Sequence, residues 1–370
     1  MQLVKATEKD NEKLLHYFTQ SHFPGAVTVR MRRMFNFFNQ YRIQSPDFVT
    51  YMLLNDKDEI EALASLIFRE AWIEGKQETI GYATDLRVSS SRKAVLTWSQ
   101  HFLPVIEEAR AERGCRYIFT SVAASQRQAY NAFIRPRSIR RLMPRYYLYR
   151  RFEIVSLHGL WPMHERPLAS VSIKNATEKD FDELSEFIVS QSQSRPLHYF
   201  ESKNQFRDSL ERWRDLYIEN FLIAKDVKGN ILGTVAPWSP QQIQKMYAVK
   251  YDDSARNLKE ILQLFSWLGV SHPLPRTNGE LKVRHLTHLY ARNPDVFYAL
   301  LYRAFKESKK DETLVYSHFD SDLLSMPPKG FISATQKFGL YAILSPSDPQ
   351  PEFLKPSFMA LPPEFESTFL

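Results

Sequence analysis

Ala6-Thr7-Glu8-Lys9-Asp10 returns unchanged as Ala176-Thr177-Glu178-Lys179-Asp180, 170 positions downstream. Five identical residues at a fixed offset mark an internal repeat, and their surroundings repeat in kind. Each copy has a short strand-like lead, Leu3 to Lys5 and Val171 to Lys174. A threonine at the N-cap position follows, with aspartate three residues on: a capping box with Asp in place of Glu. Apolar residues at helical spacing come next, Leu14, Leu15 and Phe18 in one copy and Phe181, Leu184, Phe187 and Ile188 in the other. A second helix is predicted in each, from Met34, Phe37, Phe38 and Tyr41 and from Phe206, Leu210, Trp213 and Tyr217.

A β-hairpin is predicted next in both copies. Phe48 to Leu54 turns through Asn55-Asp56-Lys57-Asp58 into Ile60 to Phe68, and Phe221 to Ala224 turns through Lys228-Gly229-Asn230 into Ile231 to Ala236. The second copy then holds an extra amphipathic segment with Leu258, Ile261, Leu262, Phe265 and Leu268 on one face. The offset therefore grows to 203 where Tyr82 to Val88 is set against His285 to Ala291. Each of these strands runs into a helix, with Pro104 predicted to bend the first, and each helix into a strand, Arg116 to Val122 and Thr313 to Phe319. Copy one adds a helix around Gln126 to Ile134 and a last strand near Tyr146 to Val155; copy two ends with Leu340 to Leu344. Gly159, Pro162 and Pro167 interrupt both periodicities. The division is an N-terminal domain over 1–155, a linker over 156–170, a C-terminal domain over 171–345 and a tail over 346–370. Its six prolines suit a strap or a frayed end.

Composition agrees with two packed domains. The chain has 370 residues, 44% hydrophobic and 14% aromatic, against a usual domain size of about 100 to 200 residues. No secretory h-region follows Met1, and no stretch approaches the roughly 18 apolar residues of a membrane span. A single cysteine, Cys115, heads a strand-like run and reads as a small core residue in a reducing compartment. The expected location is cytoplasmic. A net charge of +7 and a pI of 9.2 favour anionic partners: nucleotides, acyl-CoA, nucleic acid or anionic lipid. Walker and Rossmann loops, Gly-x-Ser-x-Gly and His-Glu-x-x-His are all missing.

The order strand, two helices, hairpin, long strand, helix, strand, helix, strand resembles the GCN5-related N-acetyltransferase (GNAT) superfamily. Asp85-Leu86-Arg87-Val88, followed by a polar loop and a helix, is similar to that family's central strand and CoA-binding turn. The implied fold class is α/β: two tandem GNAT-like units, each a mixed, largely antiparallel sheet flanked by helices, the second unit degenerate. The implied activity is transfer of an acetyl or longer acyl group from acyl-CoA to a small-molecule or peptide amine. No metal is called for.

A strand feeding a helix leaves free N–H groups and the positive end of the helix dipole, an anion hole suited to a pyrophosphate. The family's loop there carries glycines that let the backbone approach the phosphates; this chain has Ser89-Ser90-Ser91-Arg92-Lys93-Ala94 instead. Arg92 and Lys93 offer charge and the serines offer donors, while a polar turn in which Ser91 caps the helix is the bland alternative. The resemblance makes Leu86, Val88, Ser91, Arg92, Lys93, Ala94 and Gln126 the cofactor-binding residues. It makes Asp85 the base and, since Phe133 occupies the family's tyrosine position, Tyr130 the substitute acid. A salt-bridge role for Asp85 and a packing role for Tyr130 stand beside these. His285 and His288, three apart on a strand, are expected to face opposite sides and not to bind metal.

One basic run stands out. Arg135, Arg137, Arg140, Arg141, Arg145, Arg150 and Arg151 are interleaved with Tyr146, Tyr147 and Tyr149, a mixture that suits single-stranded nucleic acid, an anionic ligand or an interdomain surface. Three readings follow: an acyl-CoA-dependent N-acyltransferase active in copy one, a non-catalytic tandem binding module, and a transferase that takes its acyl group from a charged tRNA.

Overall fold

Thr7 and Thr177 start their helices with one geometry. Their backbones are extended, at φ −126°, ψ 175° and φ −129°, ψ 167°. Each donates its amide to the aspartate three residues on, Thr7 to Asp10 at 2.8 Å and Thr177 to Asp180 at 3.1 Å. Burial raises the Asp180 carboxyl, but Lys174 and the Thr177 donors outweigh it and hold it down at about 2. Because the folded value lies below the unfolded one, this contribution is present above pH 4 and lost as pH falls toward 2. Asp180→Ala is expected to cost about 1 kcal/mol at neutral pH and progressively less in acid, as chemical denaturation at several pH values would register.

The structure, a computed structural model, describes residues 1–134, 143–168, 170–355 and 361–369. Copy one runs β1 (Gln2–Lys5), α1 (Asn11–Thr19), β2 (His22–Phe23), β3 (Val27–Arg33), α2 (Asn39–Arg42), β4 (Phe48–Leu54), β5 (Ile60–Ile73), β6 (Lys76–Val88), α3 (Arg92–Arg113), β7 (Tyr117–Ala123), α4 (Arg127–Ala129) and β8 (Arg145–Leu160). Copy two runs β9 (Ser172–Asn175), α5 (Phe181–Gln193), α6 (Lys203–Arg212), β10 (Leu222–Lys225), β11 (Ile231–Trp238), β12 (Gln244–Tyr251), α7 (Asp253–Trp267), β13 (Glu280–Ala291), α8 (Pro294–Glu307), β14 (Glu312–Phe319) and β15 (Phe331–Leu344).

The sheet order is palindromic: β1-β4-β5-β6-β7-β15-β8-β14-β13-β11-β10-β9. Each copy's final strand lies beside the other copy's β7 or β14, so the copies have exchanged their last strands. β15 runs antiparallel to β8 from Phe331↔Leu160 to Leu344↔Arg145, and antiparallel to β7 on its other edge. Ser156 to Leu160, expected in the linker, belong to this ladder. Breaking the copies apart would expose both edges, so the two are welded by main-chain hydrogen bonds as well as by apolar contact. Helix α3 and its neighbours cover one face of copy one with Trp98, Phe102 and Ile106, and α1 covers the other with Leu14 and Phe18. The same arrangement recurs in copy two, with Leu300 and Leu301 of α8 on one face and Leu184 and Ile188 of α5 on the other.

Several expected elements differ. The helix predicted over Met34 to Tyr41 is one turn, Asn39–Arg42, because Phe35 takes a left-handed φ of 59° and the preceding residues form β3. β3 pairs with β12 of copy two from Val27↔Tyr251 to Arg33↔Gln244, a pairing between copies that no local pattern encodes. β5 extends past Phe68 to Ile73 and turns through Glu74 and Gly75, both at positive φ, into β6. Such a two-residue turn with φ positive at both positions matches the right-handed strand twist. Of the amphipathic segment, Leu262 is buried, whereas Ile261, Leu264, Trp267 and Leu268 are exposed. Cys115 is buried, and burial pushes its thiol up to about 12.

Candidate functional site

In copy one, β6 and β7 are parallel and paired only from Ile80↔Tyr117 to Tyr82↔Phe119. Two side-chain bonds carry the contact one residue further: Thr120 Oγ1 donates to the Ala83 carbonyl at 2.8 Å, and the Tyr82 and Ser121 hydroxyls meet at 2.6 Å. Beyond them the strands part. Copy two repeats this, with β13 and β14 paired from Lys282↔Glu312 to His285↔Val315 and open thereafter. Each opening is marked by a bulge on its longer strand, where a residue other than glycine stands at positive φ: Asp85 at 56° and His288 at 50°. These two residues are related by the 203-residue offset. Strain of about 1 kcal/mol or more kept at equivalent places in two diverged copies argues for a shared architectural origin.

Asp85 is the anionic centre of a buried cluster, not a solvent-facing base. Its carboxylate accepts from Arg33 Nη2 at 2.5 Å and from the Tyr41 hydroxyl at 2.7 Å, and Arg87 Nη2 lies 3.6 Å away. Arg33 is also stacked on Phe18 and Phe37 at 4.4 and 4.3 Å, and Arg87 on Phe18 at 3.5 Å. Burial pushes the Asp85 carboxyl up, yet the two guanidinium groups outweigh it and hold it below its ordinary value. Burial also brings the Arg87 guanidinium down to about 10. Sequence reading found Asp85 and missed its partners, because Arg33 and Tyr41 come from β3 and the short α2.

At the start of α3, Ser91 spends its side chain as an N-cap, accepting from the Ala94 amide at 3.0 Å. Ser89 donates its amide to the Glu61 carbonyl at 2.8 Å and its hydroxyl to the Glu61 carboxylate. Glu61 places a negative charge beside the turn, which no motif in the sequence signalled. Lys93 lies 3.7 Å from Asp56 in the open, and among the described residues Arg92 has no ion-pair partner. The structure thus brings Leu86, Val88, Ser91, Arg92, Lys93 and Ala94 to one end of β6 and α3, with Leu86 and Val88 packed on the core under the helix. Gln126 and Tyr130 belong to the turn after β7, where Gln126 donates to Ala123 at 3.0 Å and Tyr130 begins one turn of π-helix over 130–134. Arg135, Arg137, Arg140 and Arg141 lie outside the described residues.

Copy two's opening is filled by the chain's own tail. Residues 361–369 run as a strap between the copies, and Pro362, Pro363 and Phe365 lie against Leu286, Tyr290 and Tyr316, leaving a void of only 50 Å³. The Glu366 carboxyl accepts the His288 amide at 2.8 Å. Glu364 accepts from the Tyr290 hydroxyl, from Ser192 at 2.5 Å and from the Tyr199 amide at 2.9 Å. His285 Nδ1 and the Ser367 hydroxyl lie 2.9 Å apart. The two rings nonetheless lie on one face, His285 near Trp238 and His288 against Phe206, Trp213 and Phe221 of the same core, contrary to the expectation of opposite faces: the bulge at His288 breaks the two-residue alternation. Burial pulls both imidazoles down to about 3. Among the described residues no three His, Cys, Asp or Glu side chains gather as metal ligands, and no helix is long and apolar enough to cross a membrane.

No protein-family model and no curated protein matches the sequence. Solved structures do share its architecture. Saccharomyces cerevisiae N-myristoyltransferase with bound myristoyl-CoA superposes with a TM-score of 0.55 at 10% identity, over 92% of this chain and 79% of that one. A GCN5-related glucosamine N-acetyltransferase region of a fungal multi-domain GH3 β-N-acetylglucosaminidase gives 0.56 at 10% identity, over 93% of this chain and 38% of that one. This chain has the GNAT fold. At such identity the likeness is one of fold, and it spans both copies.

Between the two GNAT units lies a cavity of 230 Å³ to which both contribute: Arg69 and Glu70 from the first, Tyr199, Asp208 and Trp213 from the second, and Glu366 and Phe369 from the strap. Burial pushes the Glu366 carboxyl up to about 8, against the lowering effect of the His288 amide. Gln40 donates to the Thr368 carbonyl at 2.6 Å, so α2 of the first unit also holds the strap. The strap's polar contacts were invisible in the sequence, where the proline-rich tail suited a strap or a frayed end and no motif singled out Glu364 or Glu366.

Proposed function

We propose that the protein is an acyl-CoA-dependent N-acyltransferase that binds its donor along β6 of the first GNAT unit and draws its amine acceptor from the cavity between the units. The contrast at the two bulges carries this reading. The His288 amide is taken by Glu366, whereas among the described residues no side chain takes the Asp85 amide, and a preorganised N–H beside a parted strand suits the oxygen of a thioester carbonyl. The main chain at Leu86 and Val88, free of β7, offers pairing to the extended amide arm of CoA. Arg92 and Lys93 then meet the phosphates, with the remaining first-turn amides of α3. The yeast structure's myristoyl-CoA supports a CoA-linked donor, acetyl or longer.

In the reaction, the amine nitrogen attacks the thioester carbon. The C–N bond forms, the C–S bond breaks, CoA leaves as a thiolate that takes up a proton, and the amine gives up one. Asp85, committed to Arg33 and Tyr41, positions the bulge. Glu366 is the better proton acceptor, since it lines the acceptor cavity and its carboxyl titrates at about 8. Tyr130 is the candidate proton source for the thiolate. Activity is therefore expected to rise with pH through about 8, as Glu366 ionises, and Glu366→Gln is expected to remove that limb of the pH profile and lower kcat by about 100-fold.

Calorimetric titration with acetyl-CoA and with myristoyl-CoA tests the proposal. One of them is expected to bind with a micromolar Kd, and Arg92→Glu is expected to weaken it at least tenfold without changing the melting temperature. Unchanged affinity in that variant would remove residues 89–94 from the site. Silence with both donors would remove the enzyme reading.

A further inference from the structure

Copy one turns directly from β5 into β6, whereas copy two inserts β12 and α7 between β11 and β13. The inner face of α7 is spent on the core: Ala255 and Leu262 are buried with Ala248 and Tyr251 of β12, and Leu258 and Phe265 pack beside them. Its outer face is apolar as well. Ile261, Leu264 and Leu268 follow the spacing of one helical face, Trp267 adjoins them, and all four are exposed, Trp267 by 78% and Leu268 by 70%. From Ile261 to Pro275 the chain has no Asp, Glu, Lys or Arg. A surface helix with one apolar stripe is covered by its own core; one that is apolar on two sides calls for a second cover.

The ridge is wider than the helix. The Leu160 amide donates to the Val270 carbonyl at 2.9 Å, and the Trp161 ring lies 6.1 Å from that of Phe265, so the segment after β8 runs beside the end of α7. Trp161 is exposed there, and Met163 is 96% exposed. Lysines border this surface. The Trp161 amide donates at 3.0 Å to the carbonyl of Gly330, the residue after Lys329. Lys306 stands over Tyr302, whose ring is 5.6 Å from that of His164. Lys309 and Lys310 lie in the turn after α8, which meets His272, four residues past Leu268: His272 Nδ1 is 2.8 Å from the Glu312 carbonyl, and burial pulls its imidazole down with Lys310 adding to the effect. The carboxylates around that turn are neutralised, Glu307 by Arg303, Asp311 by Lys282 and Glu312 by Arg284. Among the described residues the four lysines have no ion-pair partner and are exposed; Glu165 and Glu260, also unpaired, offset part of their charge.

Charge decides what covers the ridge. A second copy of the chain, docked about a two-fold axis, would set these lysines against their own counterparts, and like charges across an interface oppose it. A helical peptide seeks an apolar groove, and neither cavity described above is lined by these residues. An anionic bilayer meets both features at once: Trp, Leu, Ile and Met side chains enter the headgroup and acyl boundary while lysines around them meet acidic headgroups. We propose that the outer face of α7, with Trp161 and Met163, seats the protein reversibly on an anionic membrane surface.

Sedimentation of the full chain with vesicles tests this. The protein is expected to bind phosphatidylcholine vesicles containing about 30% phosphatidylserine roughly tenfold or more tightly than phosphatidylcholine alone, and less tightly as salt rises. Trp267→Ser with Leu268→Ser is expected to remove the binding, and Lys309→Gln with Lys310→Gln to weaken it about tenfold or more on the anionic vesicles alone. All four positions are exposed, so these variants are expected to fold, which melting temperature checks. No binding to either vesicle, equal binding to both, or binding that survives in the serine variant would overturn the proposal. Light scattering without lipid tests the other occupant: a dimer of the unaltered chain that the serine variant loses would assign the ridge to a second copy and overturn the proposal as well. None of these readouts depends on acyl transfer, so the donor assignment stands or falls separately.

Discussion

Asp85→Ala is expected to destabilise the protein by about 3–5 kcal/mol. The variant would leave the guanidinium groups of Arg33 and Arg87 buried without their shared carboxylate; Arg33 is 5% exposed. Already in the intact protein Arg33 Nε and Arg87 Nε find no acceptor among the described residues, so the cluster has no spare anion to fall back on. The Tyr41 hydroxyl, which also accepts from Ser65 at 2.8 Å, would lose its acceptor. Denaturant unfolding measures the loss, with Asp56→Ala as a control: Asp56 is exposed and pairs loosely with Lys93, so a change within about 0.5 kcal/mol is expected there. Equal effects of the two substitutions would show that the buried cluster does not support the bulge.

Ending the chain after Lys355 is expected to be more damaging still. The strap places Phe365 5.8 Å from Tyr82 of the first unit and 5.2 Å from Phe152, and Phe369 6.2 Å from Trp213 of the second. Truncating one buried phenylalanine costs about 3–5 kcal/mol, and Phe369→Ala alone is expected to fall in that range. The truncated chain is expected to expose the opening between β13 and β14, to bind a hydrophobic dye and to melt several degrees lower. A truncation with unchanged melting and no dye binding would show that the strap only rests on the surface. The strap also carries a pH dependence. The folded Glu366 carboxyl titrates at about 8, above its unfolded value, so its stabilising effect is complete below pH 4 and lost as pH rises through 8. The groups facing it are Glu364, which raises it, and the His288 amide and Arg195, which lower it.

Local chemistry was legible in the sequence and non-local chemistry was not. The five-residue repeat gave both capping boxes, because a cap is decided within four residues. The 203-residue alignment set Asp85 against His288 before their shared positive φ was known. The exchange of β8 and β15 left no trace, since a strand's alternation says which face is buried and not which edge it joins. β3 was missed for a related reason: Val27 to Arg33 was assigned no element, and it is a strand because β12, more than 200 residues away, pairs with it. The resemblance made Asp85 a candidate base with a salt-bridge role beside it; the structure shows the salt bridge, and the distance of Arg33 and Tyr41 along the chain hid who its partners are.

Hydrogen exchange in the presence of the acyl-CoA that binds most tightly tests the central assignment most directly. Slowed exchange confined to peptides covering residues 83–94 of the first unit is the predicted result. Protection over residues 286–296 of the second unit instead, or none in either, would contradict the placement of the donor at the Asp85 bulge.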